Sequence, residues 1–143
     1  MLTRTPLDPQ EALVCTMVLV AAAETGGISD REIGLMATLV QLLPIFQGFS
    51  TDRLRHAADA AIALLREDDG LAQAGRLVRT SLEPRMRETA YTLACELVAV
   101  EPKPSQAILR MLEFVAEELR LDRLVIAAIE RGTRARYQRP EAS

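Results

Sequence analysis

Helix-start signals recur along this chain at helix-length intervals, and that spacing constrains the fold more than any other feature. Asp8-Pro9, Ser29, Ser50-Thr51, Glu83-Pro84, Ser105 and Asp122 all suit a helix N-terminus. A small polar side chain there accepts from an exposed first-turn N–H, and a proline gives up an N–H that would have had no partner. Gly26-Gly27, Pro44 with Gly48, "EDDG" at 67–70 and "EPKP" at 101–104 are the matching stops. Between them the apolar residues keep a helical period: Ile33, Met36, Leu39, Val40 and Leu43 share one face, and so do Ile108, Leu109, Leu112, Val115, Ala116 and Leu119. No stretch alternates apolar and polar over a useful length. The expectation is an all-α, compact bundle of about seven helices.

The helices run from Asp8 to about Thr25, from Ser29 to Leu43, from Ser50 or Thr51 to Leu65, over "LAQAGRLVRTSL" at 71–82, from Glu83 to about Val100, from Ser105 to Leu119, and onward from Asp122. Gly75 weakens the fourth. "SDRE" at 29–32 is a capping box, with Ser29 and Glu32 each serving a backbone N–H of the other. Hydrophobic residues make up 49% of the chain and aromatic ones only 3%, a balance that favours close-packed helices over sheets. A chain of 143 residues suits one domain, 1–143.

The run "ALVCTMVLVAAA" at 12–23 is apolar nearly all round, as a core helix is. It is shorter than the roughly 20 residues a bilayer span needs. The acidic "LDPQE" before it is unlike the positive start of an export signal. Cys15 and Cys95 lie in apolar helical patterns without metal-knuckle spacing, so two buried free thiols in a reducing, cytoplasmic setting are expected.

The helices also fall into two similar sets. Ser29 and Ser105 stand 76 residues apart, and at that offset Met17 meets Leu93, Met36 meets Leu112, Leu39 meets Val115 and Leu43 meets Leu119. A core helix, a sharp break and an amphipathic helix occur twice. The expectation is two degenerate repeats, about 8–68 and 83–137, packed around a pseudo-twofold axis.

Net charge is −3, so no overall basic field attracts nucleic acid. From Arg120 to Ser143, six arginines face three acids, a basic end that complements a final helix dipole or meets an acidic partner. The acids crowd instead at the first break. Glu24, Asp30, Glu32 and, if the two breaks meet, Glu101 form a candidate ligand set for a hard divalent cation such as Ca²⁺ or Mg²⁺. Capping and the helix dipole account for Asp30 and Glu32 without any ion. "REDDG" lacks the ligand spacing of a calcium loop.

Catalytic constellations are missing. A di-iron bundle needs Glu-x-x-His twice, and His56 is the single histidine, expected on a polar helix face. No nucleophile elbow, phosphate loop or aromatic stacking platform is present. A metal-dependent enzyme would have to use the acids of the break. "PIFQGF" at 44–49 offers Phe46 and Phe49 either to a protein partner or second copy, or to the core between the halves.

"VAAAETGGISDREIGLMATLVQLL" resembles the first repeat of the TerB-like family, named for bacterial tellurite-resistance proteins. Gly26, Ile28, Ser29, Asp30 and Glu32 stand where that motif has them. Thr25 replaces the motif's Asp and Gly27 its following acid. In the second half Glu101 falls at the Asp position, Pro102 at that of Gly26 and Ile108 at that of Glu32, so each half keeps one acid of the pair. The resemblance covers about Glu11 to Tyr137 in helix order. It implies a non-enzymatic helical domain of two similar halves, an interaction or ion-responsive module in a stress response, with a degenerate acidic metal-binding turn.

Overall fold

The computed structural model describes residues 5–141, and among them there are seven α-helices and no strand. They are α1 (Pro9–Ala21), α2 (Asp30–Gln41), α3 (Thr51–Leu65), α4 (Gly70–Ser81), α5 (Pro84–Ala99), α6 (Gln106–Glu118) and α7 (Arg123–Arg136), with a single 3-10 turn at Pro44–Phe46 between α2 and α3.

Local chemistry sets the boundaries. Asp8 accepts from the Glu11 N–H while Glu11 accepts from that of Asp8, a complete capping box with Pro9 just inside. The expected box at Ser29 and Glu32 is complete as well. Ser50, Ser105 and Asp122 cap α3, α6 and α7 through their side chains. Helix α1 ends four residues before the expected Thr25. Its hydrogen bonding continues as turns, through Ala23 N–H to Val20 O and Gly26 N–H to Ala22 O, until Gly26 reverses the chain at φ +77°. A glycine suits that left-handed position because it has no Cβ to clash.

Helix α1 is the centre of the molecule. Every residue from Ala12 to Val20 is buried, and α3, α4, α5 and α6 all pack on it. A helix covered on all sides needs no polar face, which is why 12–23 reads as uniformly apolar. Helix α5 packs on α1 and carries α6 and α7. Leu13, Met17, Met36, Leu54, Tyr91, Leu93 and Leu119 are fully enclosed, each contributing about 1.5–3 kcal/mol of burial.

Gly75 is a packing device rather than a weak point in α4. A Cβ there would lie 2.7 Å from Cγ of Glu118 and 3.0 Å from Cζ of Phe114, so its absence lets α6 close onto α4. Arg79 of α4 then meets Glu118 at 2.8 Å in a largely enclosed ion pair. Phe46 is buried and Phe49 packs beside it at 5.2 Å between ring centres, with the Arg53 guanidinium 4.7 Å above the Phe49 ring. Of the two readings of "PIFQGF", this arrangement matches the core one for Phe46.

The packing pairs off. Helix α3 lies on α1 and α7 on α5, while α2 reaches across to α5 and α6 to α1. Thr16 returns its hydroxyl to Ala12 O, and 76 residues later Thr92 does the same to Glu88 O. The 3-10 turn lies within 8–68, and α4 lies between the two sets.

Candidate functional site: the cleft between the two turns

The two breaks are neighbours. Arg31, at the start of α2, donates through Nη1 to Oε1 of Glu101 at 3.0 Å, spanning 70 residues of sequence. Behind this pair is a cleft of about 230 Å³. Glu24, Glu32, Glu101, Arg31 and Lys103 bring charge to it, and Val20, Leu35, Leu97 and Ile108 give it apolar walls.

Three of the four expected acids, Glu24, Glu32 and Glu101, line this cleft, one from each side of the first turn and one from the second. Asp30 is absent from its lining. Its side chain is 97% exposed and faces Arg55 of α3 at 3.7 Å. Position in the first helical turn explains this: Asp30 and Glu32 are two residues apart, and side chains so spaced do not share a helix face.

The acids of the cleft are partly committed. Oε1 of Glu32 accepts from both the N–H and the hydroxyl of Ser29, each at 2.9 Å. Oε1 of Glu101 is held by Arg31. Glu24 is exposed, and among the described residues no hydrogen bond or ion pair holds it. Among the described residues, no group of three or more His, Cys, Asp and Glu side chains is placed to hold a metal ion. The guanidinium of Arg31 stands where the two turns bring negative charge together. Exposed pairs of this kind contribute only about 0–1 kcal/mol, so a competing cation need not overcome much.

Thr25, at the motif's Asp position, shapes the turn without charge. Its hydroxyl accepts from the Gly27 N–H at 3.3 Å and lies 3.2 Å from Gly27 O. A hydroxyl reproduces the turn geometry of an aspartate more weakly and supplies no carboxylate.

Burial pushes the thiols of Cys15 and Cys95 up to about 12, which keeps both protonated at neutral pH. Burial, and then its hydrogen bond to Glu130, raises the Tyr91 phenol. His56 is exposed on α3, as expected.

One charged group escapes a reading of the sequence. Glu96 on α5 is only 3% exposed. Its Oε1 pairs with Nη1 of Arg136 at 2.7 Å, and its Oε2 is buried without a hydrogen-bond partner. The Tyr137 phenol is raised, first by hydrogen bonding to the Glu96 carboxylate and then by burial. The one available signal was a glutamate in the otherwise apolar "LACELVAV".

Among the described residues, no helix is long and apolar enough to cross a membrane. No protein-family model matches the chain, and no curated protein or solved structure matches it either.

Proposed function

We propose that this protein is a non-enzymatic, TerB-like helical module, built from two degenerate halves, whose cleft between the turns responds to a divalent cation. The observation that carries this reading is the convergence of the two turns: Glu24, Glu32 and Glu101 line one cleft, and Arg31 bridges it to Glu101 at 3.0 Å. The paired contacts of α1 with α3 and α5 with α7 support the two halves. The protonated thiols and the exposed His56 support a role without catalysis.

In this reading Arg31 is a resident counter-ion. A cation enters when Arg31 swings out and releases Glu101, joining it to Glu24 and to the free oxygen of Glu32. Few ligands and a competing arginine place the affinity in the weak range of oxygen-ligand sites, roughly 10⁻⁴–10⁻³ M. At about 10 mM calcium and a dissociation constant of about 1 mM, linkage gives about 1.4 kcal/mol, or a melting shift of roughly 4 °C.

The test is thermal melting with and without calcium, magnesium or zinc, for the native chain, Arg31→Ala and Glu24→Gln. The expected result is a shift in the native chain, a larger one in Arg31→Ala and none in Glu24→Gln. No shift with any cation in either the native chain or Arg31→Ala overturns the ion-responsive role and leaves an interaction scaffold.

A further inference from the structure

Helix α7 turns one face to the body of the protein and another to solvent. Ile126, Ile129 and Thr133 pack inward, and the helix rests on α5. Its outer face carries Arg123, Leu124, Ala127, Arg131 and Arg134, all exposed. At 3.6 residues per turn these five fall within about 100° of arc, and the arginines run for about 16 Å along the axis.

The charge on this face is uncompensated. Among the described residues, no carboxylate comes within ion-pair distance of Arg123, Arg131 or Arg134, whereas Arg31, Arg53, Arg55, Arg79 and Arg85 each reach one. The acids nearest in sequence are engaged elsewhere: Asp122 caps the N–H of Leu124, and Glu130 accepts from the Tyr91 hydroxyl. The helix dipole accounts for a cation in the last turn, at Arg134, but it opposes one at Arg123, the first residue of the helix. Arg66, Arg76 and Arg110 are unpaired too, but they stand singly, at the end of α3, on α4 and on α6. Beside the arginines of α7 is Leu124, at 79% the most exposed large apolar side chain among the described residues.

We infer that the outer face of α7 is the docking site for an acidic, amphipathic helix of a partner protein. Charge complementarity selects this occupant. Three guanidinium groups in one row match a row of carboxylates, and each such pair can form two parallel hydrogen bonds. Leu124 and Ala127 add an apolar strip between the arginines, which suits an apolar side chain of the partner. A phosphate backbone offers nothing to that strip. Ala127, Ala128 and Ala135 keep the face low, so a second helix axis can come close. The partner helix therefore needs carboxylates set to meet Arg123, Arg131 and Arg134, with an apolar residue against Leu124.

The test is selection, against the full chain, from a displayed library of helices of about 14 residues, long enough to pass all three arginines. The library fixes alanines for helicity and lets the remaining positions be acidic, basic, neutral or apolar. Enriched helices are expected to be acidic around one apolar residue and to lose about tenfold in affinity on Arg131→Glu and on Leu124→Ser. They should lose nothing on Arg66→Glu or Arg110→Glu, which change the net charge equally at other sites. All four positions are exposed, so the variants keep the fold, as circular dichroism checks. The proposal is overturned by no acidic enrichment, by indifference to Arg131→Glu, or by an equal loss on Arg66→Glu. Tighter binding of a duplex DNA oligomer than of any enriched helix overturns it in favour of phosphates, and self-association that Arg131→Glu abolishes overturns it in favour of a second copy. The calcium titrations above read the cleft between the turns, whose lining includes no residue of α7, so the two proposals fail independently.

Discussion

Helices α1 and α5 pack on each other and differ on one face. On α1, Thr16 is fully buried and every neighbour from Ala12 to Val20 is buried with it. On α5, Thr92 makes the same bond to the carbonyl four residues back but is only half-buried, and Glu88 beside it is exposed. Helix α4 packs on α1, whereas a groove of about 510 Å³ opens along this face of α5. A helix position is thus not apolar or polar by its place in a repeat; it takes the character of whatever lies over it. The uncovered face of α5 keeps the half-buried Thr89 and Thr92 and the buried Glu96, and beside it the end of α2 leaves Leu42 exposed.

Lysine at the matched threonines separates the two faces most sharply. Thr16→Lys places a charge in the fully buried surroundings of α1 and should cost about 3–5 kcal/mol, while Thr92→Lys, lining the groove along α5, should stay within about 0.5 kcal/mol. Chemical denaturation of both variants measures this, and equal losses would break the comparison.

Removing the ion-pair partner of Glu96 is next. Arg136→Ala leaves a buried carboxylate unpaired, but Arg136 is mostly exposed and solvent reaches its place, so about 2 kcal/mol of lost stability is expected. Glu96→Leu in the same chain should recover most of it. A loss that persists in the double variant would mean that Arg136 acts through something other than Glu96.

The inner faces of the two helices are alike, and pH reads them together. Cys15 and Cys95 are both pushed up to about 12 by burial. Unfolded thiols ionise from an ordinary value of 9.0, so above it the unfolded state releases protons that the folded state keeps. Stability is fully present below pH 9 and falls as pH rises from 9 towards 12. Urea midpoints between pH 7 and 11 should decline above 9, and the decline should shrink in a Cys15→Ala, Cys95→Ala chain. A flat profile would contradict the burial of both thiols.

The smallest effect belongs to the turns. Arg31→Ala should change stability by less than about 1 kcal/mol without added cation, because the pair with Glu101 is exposed.

The helices were legible in the sequence because caps are local. Ser29, Ser105 and Asp122 announce their ends through residues two or three positions away. The meeting of the turns was legible only through the 76-residue offset, and its detail was not. Arg31 sits among the acids as one more polar residue until folding carries Glu101 to it. Asp30 and Glu32 looked equivalent, yet the helical turn directs one to Arg55 and the other to the cleft. Glu96 was hidden for the same reason as Arg31: its ion-pair partner comes from α7, forty residues downstream. Gly75 read as a weakness because its value lies in what Phe114 and Glu118 place against it.

The most direct measurement is the broadening of methyl NMR signals by a soluble paramagnetic chelate, compared between the C-terminal ends of α2 and α6. The account predicts strong broadening at Leu42, weaker broadening at Leu39 and Leu43, and none at Val115 and Leu119. Equal protection of both sets would mean that the face of α5 is covered in solution, and the contrast between the two central helices would be wrong.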